Sequence, residues 1–132
     1  MRVFTILFLC FSMSLMSAQE DTPTAPRIAV KLDLSESIVT RDFNIEFLEV
    51  LEDSRCPKDV VCVWEGQARV KVRISGEGID EEELELTLGK KDLNVIFTGE
   101  DFILKAAALT PYPTTENMGK RKYALLVVDE KL

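Results

Sequence analysis

The chain has 132 residues, a formal net charge of −7 and no histidine. An acidic protein of this kind is not expected to bind nucleic acid or anionic lipid, because both require a basic patch. The lack of histidine removes the commonest general base at neutral pH, and with it the Ser-His and Cys-His schemes of nucleophilic catalysis. We therefore predict a protein that is not an enzyme, has no catalytic residues and uses no cofactor.

The amino terminus has the composition of a secretory signal. Arg2 precedes an apolar segment, residues 3–16, and the small pair Ser17-Ala18 follows it. Residues 1–18 are accordingly predicted to be a signal peptide, cleaved after Ala18 or, alternatively, after Ser17. The apolar segment is shorter than the ~20 residues needed to span a bilayer. We expect an exported protein, periplasmic or secreted, with no membrane span after cleavage.

The mature chain is predicted to hold one domain. Residues 19–26 carry two prolines and no hydrophobic periodicity, which predicts a flexible lead-in. Residues 27–132 follow as a single β domain, large enough to have its own core. Removal of the signal takes Arg2 with it and leaves 15 basic against 23 acidic residues, a net charge of −8.

From residue 27 onwards, short apolar segments alternate with turn residues, which is typical of strands. Residues 60–64 are apolar on both faces, as in an interior strand. A break of phase at Leu48, Val50 and Leu51 predicts a bulge before Asp53, with a helix over residues 43–52 as the alternative. We predict strands at residues 27–34, 43–52, 60–64, 68–74, 83–88, 102–109 and 123–128, with the short apolar run that ends residues 90–97 as the candidate for an eighth. Seven or eight such strands predict an antiparallel β-sandwich of immunoglobulin-like size, or a small barrel.

The clearest pair of strands is a predicted hairpin. In the first strand, apolar residues alternate with Arg69, Lys71 and Arg73, and in the second, leucines alternate with polar residues that include Glu83 and Glu85. Serine, glycine and glutamate lie between the two strands, as in a turn. We expect the basic outer face of the first strand to meet the acidic outer face of the second.

Two cysteines, Cys56 and Cys62, remain after removal of the signal, and we call the segment between them the stapled loop. A lone pair in a short exported chain indicates a structural disulfide. The spacing does not fit a redox-active Cys-x-x-Cys motif, and two cysteines without histidine do not make up a zinc site, so no metal is expected. Closing a seven-residue loop contributes about 2 kcal/mol to stability.

The region around the two cysteines also resembles a known family. Residues 53–66 read D-S-R-C-P-K-D-V-V-C-V-W-E-G, and L-T-P-Y-P and Y-A-L-L-V follow later in the chain. This arrangement resembles small exported bacterial proteins with the signature D-S-R-C-P-x-D-V-x-C-V-W-x-G, which are generally uncharacterised. The resemblance covers most of the mature chain in outline and carries no function that transfers to it.

One interpretation of this motif is a folding clip. In a strand, Cys62 and Trp64 point to the same face, so that the indole packs over the disulfide. Asp53 accepts backbone hydrogen bonds or pairs with Arg55. Asp53 and Trp64 are then structural supports, and we expect Trp64 to be buried.

The other interpretation is a binding loop. A rigid loop loses less entropy when it binds, and this one is predicted to present Arg55, Pro57, Lys58 and Asp59 to a partner. The sequence thus predicts a non-catalytic exported β-domain that binds a protein, an envelope component or a small ligand. The alternative is an inhibitor of secreted proteases that acts through the stapled loop. A clip should bury Trp64 and the disulfide, whereas an inhibitory loop must be exposed and extended.

Overall fold

The computed structural model describes residues 28–90 and 92–132, so the predicted signal peptide and lead-in lie outside the described residues. The described chain forms two four-stranded antiparallel sheets, with strand orders β1-β8-β7-β6 and β2-β3-β4-β5. The strands are β1 (Ile28–Asp33), β2 (Ser37–Thr40), β3 (Phe43–Asp53), β4 (Ala68–Gly76), β5 (Ile79–Leu88), β6 (Val95–Thr98), β7 (Phe102–Thr110) and β8 (Ala124–Lys131). The predicted β-sandwich is confirmed. No helix within this part of the chain is long and apolar enough to cross a membrane.

The two sheets enclose one hydrophobic core. Side chains alternate across a strand, so Ala68, Val70, Val72 and Ile74 of β4 all face inwards and are buried. The apolar surface that they remove from water stabilises the fold by about 25 cal/mol per Å². The largest fully buried side chains come from both sheets: Phe47, Leu32, Ile45, Ile74, Leu104, Leu125, Val70 and Val72.

The predicted hairpin is β4 and β5, and its charged faces meet as expected. Arg73 lies opposite Glu83, and Lys71 lies opposite Glu85. The Arg73 Nη2 is 2.9 Å from the Glu83 Oε1, and Arg69 reaches diagonally to Glu85, also at 2.9 Å. These ion pairs lie on the solvent side, where each is worth at most about 1 kcal/mol. They fix the register more than they stabilise the sheet.

Strand β3 contains the predicted irregularity. Its register against β4 shifts between Phe47 and Glu49, and again between Val50 and Glu52. Each shift leaves one extra residue in β3, which changes the face to which the following side chains point. The bulge is therefore confirmed, and the alternative helix over residues 43–52 is wrong.

Two strand predictions need correction. Residues 60–64 do not form a strand, and all five are exposed. The eighth strand is instead the short β2, which pairs with β3 from Ser37↔Glu46 to Thr40↔Phe43. Its four residues carry too little hydrophobic pattern to stand out in the sequence. In β1, only Leu32 of the predicted apolar face is fully buried, and the strand ends at Asp33.

The register defines two ends of the sandwich. At one end Asp33 pairs with Ala124, and Ala68 pairs with both Asp53 and Leu88. The stapled loop leaves the sandwich here, so we call this the loop end. Ile28, where the described chain begins, pairs with Asp129 at the opposite end.

Candidate functional site

At the loop end, the stapled loop is tied to the sandwich through a group of four polar side chains that we call the anchor: Asp53, Arg55, Arg121 and Tyr123. Arg55 donates two hydrogen bonds to the Asp53 carboxylate, from Nε at 2.6 Å and from Nη2 at 2.9 Å. The Tyr123 hydroxyl donates to the Asp53 Oδ2 at 3.0 Å. The Arg121 Nη1 lies 2.9 Å from the same oxygen, a close ion pair without hydrogen-bond alignment. Only 4% of the Asp53 side chain is exposed.

The anchor also joins the two sheets. Asp53 ends β3, whereas Tyr123 immediately precedes β8. Arg55 donates from Nη1 to the carbonyl oxygen of Leu109 at 2.7 Å and from Nη2 to that of Pro111 at 3.3 Å. A planar guanidinium with five donors suits such a site, because it can hold a carboxylate and two carbonyls at once.

These contacts keep Asp53 ionised. Burial raises the pKa of its carboxyl, but the hydrogen bonds from Arg55 and Tyr123 and the charges of Arg55 and Arg121 lower it by more. The net pKa lies below the ordinary value of 3.8. Burial and the hydrogen bond to Asp53 raise the pKa of the Tyr123 hydroxyl. A carboxylate whose lone pairs are occupied in this way is a structural group and a poor general base.

Beyond the anchor, the β3-β4 hairpin continues past the end of the core. Ser54 N donates to Gln67 O, and Cys56 N donates to Glu65 O, each at 2.9 Å. Gly66 has a φ of 69°, and a Cβ at this position would lie 1.7 Å from the Ser54 carbonyl oxygen. Only glycine fits there. Residues 58–64, which this stem carries, are all exposed.

The projecting segment is braced by two further features. The predicted disulfide is formed, and the Cα atoms of Cys56 and Cys62 are 5.9 Å apart. It indicates an oxidising, non-cytoplasmic environment. Lys58 N donates to Pro113 O at 3.0 Å, and Asp59 accepts hydrogen bonds from Thr115. The side-chain hydrogen bond from Thr115 is the largest of the effects that lower the Asp59 pKa. The stapled loop is thus held from both sides.

The outer part of this segment is apolar and exposed, and we call Val60, Val61, Val63 and Trp64 the tip. Val61 is fully exposed, and Val63 and Trp64 are 90% and 81% exposed. The predicted burial of Trp64 is wrong, because residues 60–64 form no strand and the indole is left exposed. A side chain as large as tryptophan is rarely left in water.

Apolar exposure is concentrated at the loop end. Of the eleven large hydrophobic side chains that are exposed in residues 28–90 and 92–132, three lie elsewhere: Ile28, Val39 and Leu132. The other eight lie at the loop end: Leu34, Val60, Val61, Val63, Trp64, Leu93, Tyr112 and Met118. Contiguous apolar patches are typical of interaction surfaces, and this concentration makes the loop end the candidate site.

An open groove of about 630 Å³ runs beside the stem of the stapled loop. Ala68 and Leu88 of one sheet and Leu109 of the other line it, and Tyr112 lies at its margin. The Arg55 guanidinium carbon is 4.9 Å and the Lys58 Nζ 5.1 Å from the centre of the Tyr112 ring. Arg55, Cys56 and Glu65 of the stem line the groove as well.

The structure separates the predicted site residues into two groups. Arg55 was predicted to face a partner, but it is largely buried and serves the anchor with Asp53. Asp59 is engaged with Thr115, and Pro57 is half-buried and accepts a hydrogen bond from Val60 N at 3.3 Å. Lys58 remains exposed. Of the predicted candidate binding residues, Lys58 is therefore the one whose side chain is most open to a partner.

Sequence reasoning missed Arg121, Tyr123 and Tyr112, and it placed the tip in the core. The first three lie more than fifty residues from Asp53 in the chain, and no local pattern links them to it. The predicted disulfide did contain evidence that the tip is not part of a straight core strand. The stapled loop spans 5.9 Å where six residues in a strand would span about 20 Å, so the chain must turn within it.

Comparisons of the chain with protein-family models, with curated proteins and with solved structures find no match. The function is therefore inferred from the chemistry of the loop end.

Proposed function

We propose that this protein is a non-catalytic exported β-domain that binds a protein partner through the tip of the stapled loop. One observation carries the proposal: Val61, Val63 and Trp64 are exposed on a segment that the disulfide and the anchor hold in place. Rigid loops lose little entropy on binding, and tryptophan is among the residues that contribute most to protein interfaces. Such a projection suits a partner with an apolar pocket.

Export is supported by two independent features. Residues 1–18 have the composition of a signal peptide, and the disulfide is a bond that persists in oxidising compartments. Mass analysis of exported material should find a chain that begins at Gln19 or Ala18. A mass that still includes residues 1–17 would contradict export by cleavage.

The non-catalytic part of the proposal rests on the lack of histidine and on the state of Asp53. Its carboxylate is ionised and enclosed by the anchor, so it is not available as an acid or a base. The charge of −7 makes nucleic acid an unsuitable partner. A protein partner fits better than an anionic surface, because the charges near the tip are of both signs, Lys58 and Glu65.

The proposal is tested by affinity capture with the mature domain as bait and mass spectrometry of the captured proteins. The variant Val61→Ser/Val63→Ser/Trp64→Ser removes the tip. Val39→Ser is the matched control, because Val39 is also exposed, at 78%, but lies away from the loop end. We expect one or more proteins to be captured by the wild type and by the control, and to be lost with the tip variant. Equal capture by all three folded proteins would move the binding surface elsewhere.

A second candidate function is inhibition of a secreted protease. The observation that favours it is the exposure of residues 58–64, because an inhibitory loop has to enter an enzyme cleft. The other expected feature, an extended backbone, is interrupted before Val61 by the turn in which Val60 N donates to Pro57 O. An endopeptidase with an apolar cleft would also be a protein partner of the tip, so this candidate agrees with the first proposal.

A further inference from the structure

We infer that the stapled loop binds a serine endopeptidase in the manner of a substrate, with Val61 in the specificity pocket. This inference rests on the proposed function and names the class of partner for the same tip. Val61 is fully exposed, and it lies inside the ring that the disulfide closes. Within the described part of the chain, no backbone hydrogen bond involves Val61 or Cys62. Their amide and carbonyl groups are free to pair with an enzyme cleft.

The residues around Val61 are fixed before any enzyme binds. Val60 N donates to Pro57 O at 3.3 Å, and Lys58 N donates to Pro113 O at 3.0 Å. Asp59 is held by Thr115, and Cys56 N donates to Glu65 O at 2.9 Å. A flexible peptide loses conformational entropy when a cleft fixes its shape, and a braced loop loses much less. We expect this loop to bind an enzyme more tightly than a flexible peptide of the same sequence.

The disulfide also determines what happens if the enzyme attacks. When the serine oxygen adds to the Val61 carbonyl carbon, the bond between Val61 and the nitrogen of Cys62 breaks. The new amine takes up the proton that the enzyme's general acid delivers. The sulfur of Cys62 remains bonded to Cys56, so the amine stays beside the acyl group. It can attack again, release the serine oxygen with its proton and restore the original bond.

The side chain of Val61 selects the type of enzyme. Valine is small, apolar and branched at Cβ, so it suits the small specificity pocket of elastase-like enzymes. It does not suit the acidic pocket of a trypsin-like enzyme, which requires a basic side chain. Val60 and Val63 add apolar surface on either side, and the nearest charges on the segment are those of Asp59 and Glu65.

The test measures inhibition of pancreatic elastase, chymotrypsin and trypsin with chromogenic peptide substrates. We expect the wild-type domain to inhibit elastase, and trypsin at least roughly 100-fold less well. Val61→Lys should reverse this order, inhibiting trypsin and losing roughly 100-fold against elastase. Val39→Lys is the matched control, because Val39 is also an exposed valine, at 78%, but lies away from the loop end. It should keep the order of the wild type.

Several results would overturn the inference. These are a lack of inhibition of all three enzymes by the wild type, rapid cleavage after Val61 without inhibition, or the same change of order for Val61→Lys and Val39→Lys. Thermal unfolding shows that each variant is folded before it is assayed. The proposed function fails separately, since it requires only that capture of a partner depends on the tip. Capture that is lost with the tip variant, together with no inhibition of any of the three enzymes, would keep the binding proposal and remove this one.

Discussion

The anchor and the tip are neighbours in the sequence, yet the structure treats them in opposite ways. The anchor's charged Asp53 and Arg55 are buried, with 4% and 12% of their side chains exposed, whereas Trp64 of the tip is 81% exposed. Most proteins place charge outside and tryptophan inside. In this segment, polar groups therefore hold the chain in position, and the apolar groups of the tip remain exposed to solvent.

The physical reason lies in what each kind of contact can do. A buried ion pair is directional and fixes the positions of its partners, although its desolvation cost leaves little net stabilisation. Apolar contact is non-directional and scales with the area that is removed from water. Apolar side chains that are held in water keep their surface exposed. When a partner covers them, the removal of this surface from water contributes to the free energy of binding.

Among substitutions in the anchor and the stapled loop, the largest effect is expected when the charge of the anchor is removed. Asp53→Asn leaves Arg55 and Arg121 without their counter-ion, and we expect a loss of about 3 kcal/mol in the free energy of unfolding. Urea denaturation at neutral pH measures it. Asp80→Asn at the opposite end is the control, because Asp80 is exposed and its neutralisation should change stability by less than about 0.5 kcal/mol. Similar small losses in both variants would show that the anchor does not hold the fold.

The same contribution should depend on pH. The pKa of Asp53 is lowered in the folded protein from the ordinary value of 3.8, so its stabilising effect is present above that value. It is lost as the pH falls through the lowered pKa, because the protonated carboxyl no longer holds the two arginines. The difference between the wild type and Asp53→Asn should therefore be constant near neutral pH and shrink below pH 3.8. A difference that stays constant in acid would contradict the ionised anchor.

An intermediate effect is expected for the disulfide. Cys56→Ser/Cys62→Ser should lower the free energy of unfolding by about 2 kcal/mol, since the closed ring has only seven residues. Thiol labelling of the unfolded wild type without reductant tests the bond directly, and it should find no free thiol in the mature chain. Two free thiols in freshly exported protein would show that the bond is not part of the native state.

The smallest effect is expected at the tip. Trp64→Ser removes a large side chain that contacts little of its own chain, so stability should change by less than about 0.5 kcal/mol. Phe47→Ala provides the contrast, because Phe47 is fully buried and its truncation should cost about 3–5 kcal/mol. A loss at Trp64 of the size found at Phe47 would mean that the indole is packed in solution and that the tip belongs to the core.

Much of the sandwich follows from local pattern. The alternation in β4 predicts its buried face, and the opposite charges on β4 and β5 predict their pairing, because both depend on residues two apart in one strand. The phase break in β3 predicts its bulge for the same reason. Strand β2 was not predicted, because an edge strand of four residues is too short to show a hydrophobic pattern.

The β class, the disulfide and the charge follow from the sequence, since each depends on residue type and near spacing. Which part of the motif is buried depends on contacts between distant segments. Burying Arg55 requires backbone carbonyl groups of β7 and of the loop that follows it. Burying Asp53 requires Tyr123, which precedes β8 of the other sheet. Whether Trp64 is exposed depends on how far the strands of the opposite sheet extend at the loop end. These are relations between segments distant in sequence, and hydrophobicity alone favours the opposite arrangement.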